Sequence, residues 1–194
     1  LSDTTHLRVC LTSESNMYKV ETSQILVDRH KEFVGICNQV ENMLEQDFTD
    51  APNTTAIYNQ YNIFSYTATS SLFYELYQDL NKTIRDYVGD DRKIWIQAWL
   101  NILSYEELGK VLGPHHHNWD IHGYISIDPK DTTTAFTKFA IKNEIGNIYI
   151  GPGGNEYEHQ VVNDNNWEGK RITIGYDCTF AADIQTNNRL YPLL

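Results

Sequence analysis

The feature that most constrains the fold is a series of short strand-like runs in the second half of the chain. After Asp91, segments rich in β-branched and aromatic residues follow one another, and turn sequences such as Pro129-Lys130-Asp131 separate them. Many short strands at this spacing are typical of a β-sandwich or a β-barrel. The predicted strands are Lys93–Ser104, Ile121–Asp128, Thr133–Ala140, Asn147–Gly151, Glu158–Val162 and Lys170–Cys178.

Two amphipathic helices are predicted before this β region. Apolar residues recur at helical spacing from Thr22 to about Leu44 and again from about Ser71 to Val88, where Gly89 provides a stop signal. A sheet that carries apolar residues on its outer side needs a covering layer. We therefore expect the helices to pack on the outer face of the larger sheet, against Ile172 and Ile174.

The other N-terminal segments are less regular. Alternating residues around His6–Leu11 and Met17–Val20 predict one or two strands. Residues 46–70 are rich in Asp, Asn, Thr, Tyr and Ser, and they predict a long irregular segment around a short strand at Ile57–Tyr66. Long loops in compact domains are often functional. A lid over a site is one interpretation of this segment, and an ordinary surface excursion is the favoured one.

Length and charge limit the classes of function. A chain of 194 residues is expected to form one domain: strands and supporting helices in 1–92, a β core in 93–180 and a tail in 181–194. The formal net charge is −11, and no cluster of Lys and Arg is present to neutralise phosphates, so binding to nucleic acid is not expected. The charge favours solubility.

Cysteine usage and hydropathy bear on the compartment. Cys10, Cys37 and Cys178 are odd in number and widely spaced, a pattern that favours reduced thiols and a cytoplasmic location over a disulfide framework. The sequence has no apolar run near the roughly 18 residues that a membrane span needs, so no membrane association is expected.

A histidine cluster indicates a metal site. His115, His116, His117 and His122 fall within the segment Gly113–Gly123, and neutral imidazole is a common ligand for first-row transition metals. On extended backbone His115 and His117 point to the same side. If this backbone continues into the next predicted strand, the two histidines share a face with Ile121, Gly123, Ile125 and Ile127, and we expect that apolar face to point inward.

Three residues further along the chain complete the predicted site. Two histidines alone hold a redox metal loosely, and His159, at the start of a later strand, is the expected third ligand. Arg171 and Thr173 share one face of the last predicted strand. A buried arginine beside a hydroxyl binds carboxylates through charge-assisted hydrogen bonds.

The order of these motifs resembles a known enzyme family. Trp99-Leu100-Asn101, Gly113-Pro114-His115-His116-His117, His159-Gln160-Val161 and Arg171-Ile172-Thr173 look like the iron(II)- and 2-oxoglutarate-dependent oxygenases, particularly the short prolyl-hydroxylase-like and phage-encoded members. The resemblance covers roughly residues 93–178. In that family a double-stranded β-helix, a jelly roll similar to the cupins, carries a His-x-Asp/Glu pair, a distal His and, about a dozen residues later, an Arg.

The resemblance implies a reaction and a set of roles. It implies that 2-oxoglutarate and O2 are consumed at Fe(II), giving succinate, CO2 and a hydroxylated C–H bond in a protein side chain or a small molecule. His159 becomes the distal ligand, and Arg171 with Thr173 binds 2-oxoglutarate. No His-x-Asp is present, so the proximal ligands are either His115 and His117 or a pair that includes Asp120.

Two other functions remain open from the sequence. One is a cupin-like metal enzyme that uses the same histidines without 2-oxoglutarate, and the other is a non-catalytic jelly-roll binding module. The pair Arg171 and Thr173 favours the oxygenase over the cupin-like enzyme, because the latter needs no carboxylate-binding group there. A binding module predicts no metal.

Overall fold

Residues 17–180 and 189–193 are described by a computed structural model. Over these ranges the helices are α1 (Gln24–Asp28), α2 (His30–Asp47), α3 (Ile63–Tyr66), α4 (Ser71–Val88) and α5 (Tyr105–Val111). The strands are β1 (Lys19–Thr22), β2 (Ile94–Leu103), β3 (Ile121–Asp128), β4 (Thr132–Phe136), β5 (Ala140–Lys142), β6 (Asn147–Pro152), β7 (His159–Asn163), β8 (Arg171–Thr179) and β9 (Tyr191–Leu193). The predicted strand at His6–Leu11 and Cys10 lie outside the described residues.

The strands form two antiparallel sheets. The larger sheet has the order β1-β6-β3-β8-β2-β9, and the smaller has the order β5-β4-β7. A bridge between His115 and His159 adds one more point of pairing beside β7. From β2 to β8 the chain passes back and forth between the two sheets, so the fold is mainly β, a double-stranded β-helix with helices packed against it. The predicted fold class is confirmed.

The helices cover the outer face of the larger sheet. Ile172 and Ile174 of β8 lie in one apolar core with Phe33 of α2 and with Leu76 and Leu80 of α4, and all five side chains are buried. Burial of apolar surface is the main stabilising contribution to such a layer. The predicted packing of the helices on the outer face of the larger sheet is confirmed, with Ile172 and Ile174 in the shared core.

The predicted direction of the apolar face of β3 was wrong. Ile121, Ile125 and Ile127 point outward into the core shared with the helices, whereas His122 and Tyr124 line the space between the sheets. The prediction assumed that the interior of a β-barrel is apolar. In this fold the helices bury the outer face, and the space between the sheets is a polar cavity.

One predicted helix is interrupted in the structure, one has the predicted bounds, and one helix was not predicted. The helix predicted from Thr22 to Leu44 is interrupted at Arg29, whose backbone (φ −114°, ψ 24°) separates α1 from α2. α4 has the predicted bounds, because Ser70 accepts a hydrogen bond from the Phe73 amide at its start and Gly89 ends it at φ 77°. α5 was not predicted, although Ser104 and Glu107 form a capping box there.

Two predicted strands need correction. The strand predicted at Ile57–Tyr66 is wrong: a 3₁₀ turn at Thr55–Ile57 is followed by α3, whose start is capped by Asn62 through the Phe64 amide. The strand predicted at Thr133–Ala140 ends at Phe136. The chain then reverses into β5, which pairs with β4. In both places aromatic and β-branched residues favoured a strand, but the turn and capping chemistry decided the structure.

The segment between α2 and α4 covers the outer edge of β2. The hydroxyl of Thr54 accepts from the Ile102 amide at 3.2 Å, and the hydroxyl of Tyr61 accepts from the Leu100 amide at 2.8 Å. Asn62 donates to the carbonyl of Ile96 at 3.2 Å. Side chains thus satisfy backbone groups that an edge strand would leave unpaired. The segment between α2 and α4 is therefore packed against the sheet and does not form a detached surface loop.

Two further findings concern cysteines and membranes. Cys37 and Cys178 are both buried and free of disulfide bonds. Within the ranges 17–180 and 189–193, none of the helices has the length and the apolar character that crossing a bilayer demands.

Candidate metal centre

Three histidines converge at one end of the space between the sheets. The backbones of His115 and His159 exchange both amide-to-carbonyl hydrogen bonds, each at 2.9 Å. His117 follows two residues after His115, and one ligand atom from each of the three side chains lies within 4.8 Å of the others. The predicted residues His115, His117 and His159 are therefore brought together in a group that could hold one metal ion.

The Nδ1 atom of each of these three histidines already has a hydrogen-bond partner. The Nδ1 of His115 lies 2.6 Å from the Gly113 carbonyl, and the Nδ1 of His159 lies 3.0 Å from the Tyr157 carbonyl. The Nδ1 of His117 lies 3.0 Å from Oδ2 of Asp177. All three partners are acceptors, so each Nδ1 carries a proton, and in the neutral ring Nε2 keeps its lone pair for a metal.

Burial favours the neutral form of two of these imidazoles, those of His115 and His159. It lowers the pKa of His115 below its ordinary value, and burial together with the neighbouring His122 and His115 lowers the pKa of His159 to about 2. Neutral histidine is the form that binds a metal. His115 and His159 therefore need not lose a proton before a metal enters at neutral pH.

The loop that carries His117 is held by the glycine-rich turn after β6. The amide of Gly154 donates to the His117 carbonyl at 2.7 Å. A Cβ at Gly153 would lie 2.1 Å from the Trp119 carbonyl oxygen and 2.7 Å from that of His117. Only glycine permits this approach of two backbones, which gives the sequence Gly151-Pro152-Gly153-Gly154 a role in placing a predicted ligand.

Asp177 and His122 were not predicted as site residues. Asp177, on β8, is 1% exposed, and its two oxygens accept from the Nδ1 atoms of His117 (3.0 Å) and His122 (2.9 Å). The sequence signal was a lone carboxylate between the apolar neighbours Tyr176 and Cys178 on a buried strand. His122 is 6% exposed, and its ring stacks on that of His117 at 3.8 Å.

Burial acts on both of these groups. It lowers the pKa of His122 to about 4. Burial would raise the pKa of Asp177, but the hydrogen bonds from His117 and His122 outweigh it and bring the pKa below its ordinary value. At neutral pH Asp177 is therefore a carboxylate, and His122 is a neutral imidazole that donates to it. His117, His122 and Asp177 also place ligand atoms within 4.8 Å of one another.

Arg171 is a buried cation in the same cavity. Its side chain is 2% exposed, with Nε donating to Thr132 Oγ1 at 3.3 Å and Nη1 to Thr173 Oγ1 at 3.1 Å. Burial lowers its pKa to about 10, so it stays charged at neutral pH. No carboxylate among residues 17–180 and 189–193 forms an ion pair with it. A buried, charged guanidinium held only by hydroxyls favours an anionic ligand.

One cavity of about 420 Å³ contains all of these groups, within the size range of small-molecule sites. Tyr124 lies in its wall near Arg171, and burial raises the pKa of this tyrosine to about 12. Trp99 also lines the cavity, with its ring stacked on His117 at 5.8 Å. Its other lining side chains include Thr55, Tyr58, Asn101, Leu112, Trp119, Thr134 and Val161.

Asp120, the alternative proximal ligand, lies elsewhere. Its Oδ2 accepts from the Thr179 hydroxyl at 2.9 Å and from the Phe180 amide at 2.8 Å, and it is exposed. Asp120 is not part of either group of described side chains that could hold a metal ion. His116, the middle residue of the triple histidine, is exposed at the cavity mouth.

Comparisons with known proteins add little to this geometry. No protein-family model matches the sequence, and no curated protein matches it. Among solved structures, a full-length protein of Neurospora crassa in complex with alpha-KG matches with 12% identity and a TM-score of 0.38, over 59% of this chain and 46% of that one. A second structure of the same Neurospora crassa protein, in complex with alpha-KG and 5-formyluracil, matches with 12% identity and a TM-score of 0.38, over 65% of this chain and 57% of the other.

The chain thus spans about half the length of the Neurospora crassa chains that it matches. A similarity at this level does not carry the function of that protein to this one. What the cavity can do follows from its own residues: three convergent imidazoles suited to a transition metal, and a buried cation suited to a carboxylate.

Proposed function

We propose that this protein is an Fe(II)- and 2-oxoglutarate-dependent dioxygenase. In this proposal residues 1–194 form a single oxygenase domain that hydroxylates a C–H bond of a protein side chain or a small molecule and converts 2-oxoglutarate to succinate and CO2. The observation that carries the proposal is the meeting, in one cavity, of three convergent histidines with a buried arginine that has no carboxylate partner among the described residues. The net charge of −11 disfavours nucleic acid as the substrate.

The donor set fits a metal such as Fe(II). His115, His117 and His159 would hold it through their Nε2 atoms, since each Nδ1 is already hydrogen-bonded. Imidazole suits iron, and three protein ligands leave coordination positions open for a cosubstrate. Bound iron with O2 supplies the oxidative chemistry. The protein contributes placement of the reactants and exclusion of water.

Arg171 and Thr173 are the proposed binding group for 2-oxoglutarate. Thr132 and Thr173 accept from the guanidinium and fix its orientation. Nη2 has no hydrogen bond to those two hydroxyls, so the guanidinium keeps donors for a carboxylate. Tyr124 and Thr134 lie beside it in the cavity wall. A carboxylate bound here would neutralise the buried charge of Arg171. This pairing would offset the free energy that it costs to keep the guanidinium out of water.

The test is anaerobic reconstitution with Fe(II) and 2-oxoglutarate. We expect one Fe(II) per chain, a visible charge-transfer band when 2-oxoglutarate is added, and succinate formation after O2 is admitted. His159→Ala should lose the metal and therefore the band. Arg171→Met should keep the metal and bind 2-oxoglutarate about 30-fold more weakly or worse, because removing one partner of a buried charged contact costs about 2 kcal/mol or more.

Arg92→Met is the matched control, because Arg92 is a half-exposed arginine paired with Asp90. It should bind metal and 2-oxoglutarate as the wild type does. Metal binding that ignores 2-oxoglutarate would contradict the proposal and favour a cupin-like enzyme. A protein that binds no metal would leave only a jelly-roll binding module. Separate substitution of His115, His117 and Asp120, followed by metal stoichiometry, assigns the proximal ligands.

A further inference from the structure

Asp177 is the only carboxylate that contacts a histidine of the proposed centre within the described residues. The His-x-His pair supplies no negative charge of its own. Asp177 lies far along the chain, on β8, and its side chain is almost completely buried. A buried carboxylate that makes two hydrogen bonds to imidazoles needs an explanation, because its desolvation is costly unless those bonds are well made.

We infer that Asp177 is a positioning residue of the metal centre, which orients His117 and supplies the negative charge that the His-x-His pair lacks. By accepting from Nδ1 it fixes His117 in the tautomer whose Nε2 is free for the metal. It also makes the Nε2 of that imidazole a stronger electron-pair donor to the metal, as a carboxylate does when it is hydrogen-bonded to a metal-bound histidine. The inference rests on the metal site of the proposed function and adds a residue to it.

His122 anchors the carboxylate from its other side. Its Nδ1 lies 2.9 Å from Oδ1, while the Nδ1 of His117 lies 3.0 Å from Oδ2. The two rings are stacked at 3.8 Å with an angle of 12° between their planes. Each oxygen of Asp177 thus has its own donor, and the carboxylate cannot rotate without breaking a bond. This arrangement fixes the ring plane of His117 as well as its tautomer.

A direct bond from Asp177 to the metal fits the geometry less well. Both of its oxygens are occupied, and a metal held by Asp177, His117 and His122 would have to displace both Nδ1 hydrogen bonds. The backbones of His115 and His159, in contrast, are joined by two hydrogen bonds, and their Nδ1 atoms face backbone carbonyls. Of the two groups that could hold a metal, only His115, His117 and His159 can do so without breaking an Nδ1 hydrogen bond to Asp177.

The first test is the histidine tautomers of the metal-free protein, measured by long-range ¹H–¹⁵N NMR. The wild type should show His117 and His122 protonated on Nδ1. In Asp177→Asn the amide can accept from one ring only and must donate to the other, so one of the two histidines should change tautomer. Wild-type His117 protonated on Nε2, or unchanged tautomers in Asp177→Asn, would overturn the inference.

The second test is Co(II) binding, followed by titration and by the visible d–d spectrum. Asp177→Asn should bind Co(II) about 10- to 100-fold more weakly, the usual loss for a group behind a metal ligand, and its spectrum should shift. Asp177→Glu should recover part of the affinity. Asp128→Asn is the matched control, since Asp128 is a half-buried carboxylate on β3 that pairs with Lys130, and it should change nothing.

Substitution of the histidines separates positioning from direct ligation. His122→Asn should still bind one Co(II), whereas His115→Ala and His159→Ala should not. The reverse result, in which His122 is essential and His115 and His159 are dispensable, would make Asp177 a ligand and overturn the inference. Failure of the proposed function looks different: Co(II) binding that depends on Asp177 but is insensitive to 2-oxoglutarate rejects the oxygenase and keeps the positioning role.

Discussion

The two faces of β8 carry opposite chemistry on alternate residues. Ile172, Ile174, Tyr176 and Cys178 belong to the apolar core beneath the helices. Arg171, Thr173, Gly175 and Asp177 line the cavity between the sheets. Because side chains of a strand alternate between its faces, a single strand provides both a covered apolar surface and a row of polar groups.

This difference separates stability from function along one strand. The helix face gains free energy from apolar burial. The cavity face buries a guanidinium and a carboxylate, which cost free energy to desolvate and are retained for what they bind. Substitutions at neighbouring positions of β8 should therefore affect different measurements.

The largest expected effect contrasts Ile174→Ala with Thr173→Val. Ile174→Ala opens a cavity in the core and should lower the free energy of unfolding by about 2–5 kcal/mol, with metal and 2-oxoglutarate affinity unchanged in the folded fraction. Thr173→Val keeps the shape and removes one acceptor from Arg171, which costs about 1.5 kcal/mol and weakens 2-oxoglutarate binding. Urea unfolding and ligand titration measure both, and equal loss of affinity in the two variants would contradict the separation.

An intermediate effect is expected from pH. The pKa values of His122 (about 4) and His159 (about 2) lie below the ordinary 6.5. Below pH 6.5 the unfolded chain therefore takes up protons that the folded protein does not bind. The free energy of unfolding of the metal-free protein should fall as pH drops from 6.5 to 5, by up to about 1.4 kcal/mol per pH unit for each histidine. Urea titrations at each pH measure this slope, and a constant stability over that range would show that the cavity face carries no such cost.

The smallest expected effect concerns the ion pair that connects the helix layer to the larger sheet. Lys170, just before β8, contacts both oxygens of Glu41 on α2 at 2.8 Å, and the lysine side chain is 53% exposed. Lys170→Ala should lower the free energy of unfolding by about 0.2–1 kcal/mol at low salt, and by less at high salt. Urea unfolding at two salt concentrations checks this. A larger loss, or a change in 2-oxoglutarate affinity, would mean that this ion pair positions Arg171.

The regular elements were predictable from the sequence because their local signals agree with their packing. The bounds of β3 and α4 were predicted as observed, since apolar periodicity and end signals coincide there. α5 was missed although its capping box was present in Ser104 and Glu107, because a seven-residue helix offers little periodicity. The 57–66 segment was mistaken for a strand because composition outweighed the Asn62 cap.

The candidate site was less predictable, and the reason is tertiary. His115, His117, His159, Arg171 and Thr173 were found from spacing and residue type, and the structure places them in one cavity. The face of β3 was assigned the wrong way round because the space between the sheets was assumed to be apolar, whereas it is a polar cavity. Asp177 contacts His117, which lies 60 residues away in the sequence. No local sequence pattern predicts a contact at that separation.

The paired backbones of His115 and His159 have a thermodynamic consequence for metal uptake. Two opposed hydrogen bonds of 2.9 Å hold these residues as an antiparallel bridge pair, which fixes their Cα atoms at about 5.5 Å from each other. Two ligands are thus brought together when the protein folds, and no loop has to close around the ion. The conformational entropy of assembling the site is lost during folding rather than on binding, so the entropy change of metal uptake should be dominated by the water released from the ion.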